Sequence, residues 1–286
     1  MYLLFDIGGT KTRIALSEDG EHVGEEVKFE TPPEFDAGIN KIAEEAEKLT
    51  GGREITAAAG GASGPLSRTK DRFVNAPNLP RWNHHPLADR LAAACGAPVY
   101  LENDSAIVGL GEAHFGAGQG APIMMYLTIS TGVGGARIVG GRIDQSAWGF
   151  EPGHQIIDID KTLCTDCVSG EAEDTISGTA TAHRFGVKAY EVEDPNAWEE
   201  LAHWSAVVVN NSILHWSPDV VVLGGSMIVG DPAIPIERIE AHLDRLLTIF
   251  PEKPALKKAE LADVGGLYGA LAFAKQRHAA ETCVKQ

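Results

Sequence analysis

An apolar run, Tyr2 to Phe5, ends at Asp6 and leads straight into Ile7-Gly8-Gly9-Thr10-Lys11-Thr12. Gly8 and Gly9 carry no side chains to shield the backbone N–H groups, so phosphate oxygens can approach, and Thr10, Lys11 and Thr12 add hydroxyl and ammonium donors. Asp6, at the end of the strand, is placed to hold a magnesium ion through water. A Gly-Gly pair alone also suits an ordinary hairpin; it is the seven-residue combination with Asp and Thr-Lys-Thr that favours phosphate. Thr131-Gly132-Val133-Gly134-Gly135 repeats the same chemistry further along, more weakly. Gly224-Gly225-Ser226 closes the apolar run Val220 to Leu223 with a flat surface that suits an adenine or ribose as well as a plain strand-to-helix turn.

A carboxylate completes the set. Glu102-Asn103-Asp104 follows the run Pro98 to Leu101 and precedes the helix-like Ser105 to His114, so Asp104 falls where a strand ends and a helix begins. Such ends carry active sites in α/β proteins, and transfer of a phosphoryl group to a hydroxyl needs a base within hydrogen-bond reach of the attacking oxygen. Asp also caps helices, and spacing alone fits that role as well. Glu151-Pro152-Gly153-His154 offers an acceptor and an imidazole in one turn, suited to vicinal sugar hydroxyls or simply to solvent. The loop Asn75 to Pro80, with Asn78, is read the same way.

These residues need a scaffold. Strands are expected at Tyr2 to Phe5, Arg13 to Leu16, His22 to Phe29, Ile55 to Ala59, Pro98 to Leu101, Ile123 to Ile129, Ala136 to Val139 and Val220 to Leu223. Helices are expected at Ala37 to Leu49, Pro86 to Ala94, Glu173 to Arg184, Trp198 to His215, Ile236 to Phe250 and Leu267 to about Gln276. The result is a mixed α/β layer structure in which an opening strand, a glycine turn and more strand occur twice, near residues 6 and 131. Two such halves are expected to face each other across a cleft.

Composition narrows the function. A chain of 286 residues that is 44% hydrophobic can bury a substantial core. The formal charge of −16, without a cluster of basic residues, argues against a nucleic-acid partner. No run approaches the roughly 18 apolar residues of a membrane span, and the N-terminus has no signal-peptide pattern, so no membrane partner and a cytoplasmic location are expected. Four cysteines are too few for a disulfide scaffold, but Cys164 and Cys167 raise a metal or redox question.

In order along the chain, Asp6 to Thr12, Gly64-Pro65, Pro77-Asn78-Leu79, Asn103-Asp104, Gly111-Glu112, Thr131 to Gly135, Glu151 with Gly153-His154, Glu173, Ser177-Gly178, Gly224-Gly225 and Gly265 resemble the ROK family of repressors, open reading frames and sugar kinases. The resemblance implies the two-domain actin/hexokinase-like, or ribonuclease H-like, α/β fold with an interdomain active-site cleft. The domains would be residues 1–115 plus 265–286, because the last helix returns to the N-terminal domain, and residues 116–264. It implies an ATP-dependent kinase of a hexose, glucose or a close relative, using Mg2+, with Asp104 as the base. Asn78, Asn103, Asp104, Glu151, His154 and Glu173 would contact the sugar. Asp6, Gly8, Gly9, Thr10, Lys11, Thr12, Thr131 and Gly132 would hold the phosphates, with Gly224 and Gly225 near the nucleoside. A homodimer is implied as well. The family's repressors carry a helix-turn-helix ahead of the phosphate loop, and with that loop at residue 6 the module is expected to be absent.

Two alternatives stay open: a kinase of N-acetylglucosamine or N-acetylmannosamine, because Glu151 and His154 do not fix the group on the sugar's second carbon, and a non-catalytic sugar sensor. The chain also departs from the family's zinc loop, a His followed by Cys-x-Cys-Gly-x-x-Gly-Cys. It keeps His154, Cys164 and Gly170 but has Asp166 and Glu171 at two cysteine positions, with Cys167 out of register. Zinc on His154, Cys164, Cys167 and a carboxylate is one reading; a metal-free loop held by packing is the preferred one.

Overall fold

The computed structural model describes residues 1–164, 166–167 and 169–284. The chain forms two compact units, one of Met1–Phe115, Gln145–Gly149 and Asp263–Gln286, the other of Gly116–Asp144 and Phe150–Ala262.

In the first unit, β1 (Tyr2–Ile7) and β2 (Lys11–Ser17) form a hairpin, with Ile7 opposite Thr12 and Asp6 opposite Arg13. β3 (Val27–Glu30) extends it antiparallel. The expected strand from His22 starts later, because the Glu21 and His22 N–H groups turn back onto the Asp19 carboxylate. On the other side β4 (Ala57–Ala62) and β5 (Val99–Asn103) run parallel to β1, giving the order β3-β2-β1-β4-β5. β4 is Ala-Ala-Ala-Gly-Gly-Ala and wholly buried; a Cβ at Gly60 would lie 1.9 Å from the Phe5 carbonyl oxygen. Helix α1 (Phe35–Thr50) buries Phe35, Ile39, Ile42 and Ala46 along one face and stops at Gly51, whose φ of 60° suits glycine. α2 (Leu87–Cys95) follows.

α3 (Asp104–Phe115) crosses the last helix of the chain, Gly265–Val284, glycine against glycine. A Cβ at Gly111 would lie 2.6 Å from the Gly265 carbonyl oxygen, and one at Gly269 only 1.7 Å from that of Ile107. Because the obstacle is backbone, the helices must separate to admit even a methyl group. Gly269→Ala is therefore expected to destabilise the protein by about 3 kcal/mol and to lower Tm by several degrees in a thermal melt. An unchanged Tm would contradict this packing.

The second unit repeats the design. β6 (Ile123–Ile129), β7 (Val133–Val139) and β8 (Arg142–Ile143) form an antiparallel meander. β9 (Val220–Gly224) and β10 (Ala255–Lys258) pair parallel beyond β6, so β8-β7-β6-β9-β10 reproduces the order of the first sheet. These two mixed five-stranded sheets constitute the two-domain actin/hexokinase-type α/β fold.

The expected helix 173–184 is two, α4 (Glu173–Ile176) and α5 (Gly178–Phe185), because the Ser177 hydroxyl accepts from Ala180 N and starts a new helix. α6 (Pro195–Trp216) begins at the Asp194 cap. α7 (Ser226–Val229) and α8 (Ile236–Leu246) follow, and the last helix is α9. α8 ends four residues before the expected Phe250, since Thr248 N turns back to the Leu246 carbonyl. A core built on Met125, Leu127, Leu201, Val209, Val221 and Leu223 joins this sheet to α6 and α8.

Candidate functional site

Asp104 is the first residue of α3, directly after β5. The Asn103 side-chain oxygen accepts from Ala106 N at 3.2 Å, so the capping role falls to Asn103 and the Asp104 carboxylate is not needed for it. Asp104 Oδ1 accepts from Ser105 N at 2.8 Å, and the hydroxyl of Ser63 bonds the same group. Gly61 makes the position accessible to α3, since a Cβ there would stand 3.0 Å from Asp104 Cα. Burial pushes the Asp104 carboxyl above the ordinary range, against the pull of its hydrogen bonds.

Asp6 stands beside it electrostatically. Burial first, then the charge of Asp104, raise Asp6 to about 6, while Arg13, 3.8 Å away, pulls it down. Arg13 is itself tied to Asp263 through both the carboxylate and the carbonyl, each at 2.9 Å. Gly266 at the start of α9 passes close by; a Cβ there would lie 3.1 Å from Asp6 Oδ2. Two desolvated carboxylates in each other's field fit a divalent cation, which neutralises both.

The β1–β2 turn is held from behind. Gly8 N donates to the Lys11 carbonyl at 3.0 Å, and Thr31 N donates to that of Thr10 at 2.9 Å. The Thr31 hydroxyl donates to the Gly8 carbonyl at 2.7 Å and meets the Thr12 hydroxyl at 2.9 Å. Thr12 is fully buried, so its hydroxyl shapes the turn, whereas Thr10 and Lys11 are exposed. Asn78 lies directly against this turn: a Cβ on Gly9 would be 2.3 Å from Asn78 Cβ. Asp6, the glycine turn and Asn78 are thus neighbours within the first unit, as are Asn103 and Asp104.

In the second unit Glu173 Oε2 accepts from Val133 N at 2.7 Å and lies where a Cβ of Gly132 would be, 2.5 Å away. Glu173 therefore supports the turn carrying Thr131 and Gly132. The start of α5 braces the same turn, with Gly178 N donating to the Ser130 carbonyl at 2.7 Å and the Thr179 hydroxyl to that of Thr131 at 2.8 Å. Gly224 and Gly225 reach it through Ser226, whose hydroxyl meets that of Ser130 at 3.1 Å. Gly225 has a φ of 85°, and a Cβ there would lie 2.3 Å from the Ile129 carbonyl oxygen, so the position demands glycine. Glu151 and His154 flank a short helical turn whose Gly153 packs under β7, 2.2 Å from the Val133 carbonyl oxygen by the position of its missing Cβ. Thr131, Gly132, Glu173, Gly224 and Gly225 thus form one neighbourhood, while His154 bonds Glu171, Nδ1 to Oε2, at 2.6 Å. That carboxylate pushes the imidazole pKa up.

Residues 2–277 match the model of the ROK family. The chain belongs to the ROK family. A glucokinase of Thermotoga maritima is 27% identical over 306 residues, covering 95% of this chain and 96% of that protein. A ROK hexokinase from Thermus thermophilus matches with a TM-score of 0.83 at 29% identity, covering 98% of this chain and 99% of that one. A ROK family glucokinase from Streptomyces griseus, solved in complex with glucose and AMPPNP, matches with a TM-score of 0.79 at 26% identity over 96% and 99% of the two chains.

The zinc set considered for this ROK chain does not assemble. Cys164 and Cys167 are joined in a disulfide, with Cα atoms 5.3 Å apart, so neither presents a thiolate. The metal-ligating types that converge among the described residues are Cys164, Asp166 and His183, without His154. Among the described residues no helix is long and apolar enough to cross a membrane. The roles of Ser63 on Asp104, Thr31 on the glycine turn, Arg13 on Asp6 and Glu171 on His154 have no local signature, because each contact is made by the packed fold.

Proposed function

We propose that this ROK protein phosphorylates a hexose hydroxyl with ATP, glucose or a close relative being the acceptor. The observation that carries the reading is the Asp104 carboxylate, relieved of capping by Asn103 and desolvated at the end of β5. The kinases among its relatives, one of them solved with glucose and an ATP analogue, support the same class of substrate.

In this reading Asp104 accepts the proton of the attacking hydroxyl as the new oxygen–phosphorus bond forms and the bond from the γ-phosphorus to the ADP oxygen breaks. Asn78, Asn103, Glu151, His154 and Glu173 hold the sugar, and Glu173 also supports the Thr131-Gly132 turn through Oε2. Thr10, Lys11 and the backbone of Gly8 and Gly9 receive phosphate oxygens, with Gly224 and Gly225 against the nucleoside. Asp6 would hold Mg2+ through water, which supplies neutralisation of phosphate charge. The reading includes a homodimer in the cytoplasm, the dimer resting on family resemblance and tested by sedimentation.

The pH dependence follows from the same burial. A base works only unprotonated, so activity disappears as pH falls through the raised pKa values. The acid limb of kcat/KM is expected above the ordinary carboxylate range near 4, because burial raises the carboxyl of the base Asp104 and Asp6 beside it is pushed up to about 6; a limb near 4 would contradict the electrostatic account.

ADP release measured over a panel of hexoses and N-acetylated amino sugars tests the activity. Sugar-dependent release strongest with glucose or a near relative is expected. Preference for N-acetylglucosamine or N-acetylmannosamine would move the protein to the amino-sugar kinases, and no release with any sugar would leave a sugar sensor.

A further inference from the structure

We infer that Glu171 is a positioning residue for His154, doing with a carboxylate and no bound metal the task of fixing the imidazole. The inference rests on the proposed contact between His154 and the sugar. His154 is over half exposed, so packing alone does not fix its ring, and the 2.6 Å bond from Nδ1 to Glu171 Oε2 does. A carboxylate on one ring nitrogen sets the tautomer and leaves the other, Nε2, to face a ligand.

Glu171 is in turn placed by the fold. Residues 155–158 and 170–172 pair antiparallel: Ile156 bridges Glu171, Ala172 N donates to the Gln155 carbonyl at 2.9 Å, and Ile157 N and Asp158 N both donate to the Gly170 carbonyl at 3.1 Å. Gly170 permits this pairing, having a φ of 69° and a missing Cβ that would fall 2.1 Å from the Asp158 carbonyl oxygen. The Glu171 carbonyl also accepts from the Thr175 hydroxyl at 3.2 Å, which joins the bridge to α4.

The loop that follows has its own centre. Asp158 is buried, and its carboxylate accepts from Thr162 N and the Thr162 hydroxyl, both at 3.0 Å, and from Leu163 N at 2.7 Å. One carboxylate with three donors organises this turn from within, as a metal would organise a turn from its ligands. The donor set agrees, because the two sulfurs are bonded to each other and Nδ1 of His154 is occupied.

Three measurements on the purified full chain test this. Elemental analysis is expected to find no stoichiometric zinc, and prolonged chelator treatment to leave the sugar KM unchanged. Glu171→Ala is expected to raise the sugar KM about tenfold while kcat and the KM for ATP stay near wild type, and Glu171→Gln, which keeps an acceptor, to recover most of the loss. In nitrogen-15 spectra of the sugar-free protein, His154 is expected to show one fixed tautomer protonated on Nδ1 in wild type and an exchanging mixture in Glu171→Ala. Should Glu171→Ala fail to fold, Glu171→Leu, which fills the same space without an acceptor, decides by the same spectrum. One zinc per chain whose removal raises the sugar KM would overturn the inference, as would an unchanged His154 spectrum in the variant that lacks an acceptor at position 171. The spectrum needs no turnover, so it distinguishes failure of this inference from failure of the kinase reading, which would appear as no sugar phosphorylation by wild type.

Discussion

Asp104→Asn is expected to lower kcat about a thousandfold, the contribution of a general base, while the sugar KM moves little. The substitution keeps the shape of the side chain and an oxygen to accept from Ser105 N, so α3 and its Asn103 cap remain as they are. What disappears is the capacity to take the hydroxyl proton. The same variant carries a second, opposite signature in stability. Burial raises the Asp104 pKa, so the folded state favours its neutral form; this group's contribution to stability is fully present below the unfolded pKa and is lost as pH rises through the folded one. An amide is neutral throughout. Asp104→Asn should therefore melt above wild type at pH 7, by a margin that shrinks as the buffer is made acidic. Loss of activity with a gain in Tm is the pattern of a carboxylate kept buried for chemistry. Loss of both would mean that the residue serves the fold, and an unchanged kcat would remove it from the base's role.

Gly9→Ala is the second large effect. The added methyl would stand 2.3 Å from Asn78 Cβ, and neither partner can yield by turning a flexible side chain. The turn must move by about an ångström from the Asn78 loop, and a misplacement of that size can cost about a hundredfold in kcat/KM. A second substitution separates position from contact: Asn78→Gly removes the atom that is struck. The double variant is expected to regain its KM for ATP while its sugar KM remains high, since the Asn78 amide is gone. Wild-type kinetics in Gly9→Ala alone would show that the turn and the loop are not in register as described.

Much of the frame is readable from local pattern. The apolar runs Tyr2 to Phe5, Pro98 to Leu101, Ile123 to Ile129 and Val220 to Leu223 became β1, β5, β6 and β9, because buried strands need little beyond their own hydrophobicity to be recognised. β10 is different. Ala255-Leu-Lys-Lys is an exposed edge with only Leu256 half-buried, and charged edge residues resemble loop in a sequence. The break between α4 and α5 was equally hidden, since Ser177 becomes a cap only through its bond to Ala180 N.

Within the site, residue types at strand ends were legible and their partners were not. Asp104 could be read as cap or base until Asn103 was seen to do the capping. Glu173 was expected at the sugar, and its Oε2 in addition holds Val133 N, a partner 40 residues away that no local spacing announces. Thr12 looked like a phosphate donor, but the alternation of β2 turns it into the core toward Thr31. Side-chain direction and long-range pairing are properties of the packed structure, so a motif can name the participants without assigning their contacts.

The central claim is transfer of the γ-phosphoryl group of ATP to a sugar hydroxyl with Asp104 as base, and phosphorus-31 NMR of a reaction containing ATP, Mg2+ and glucose observes that transfer itself. Growth of a sugar monophosphate ester resonance matched by ADP, present with wild type and all but absent with Asp104→Asn, is the predicted result. Release of inorganic phosphate in place of the ester, or equal ester formation by the two proteins, would contradict it.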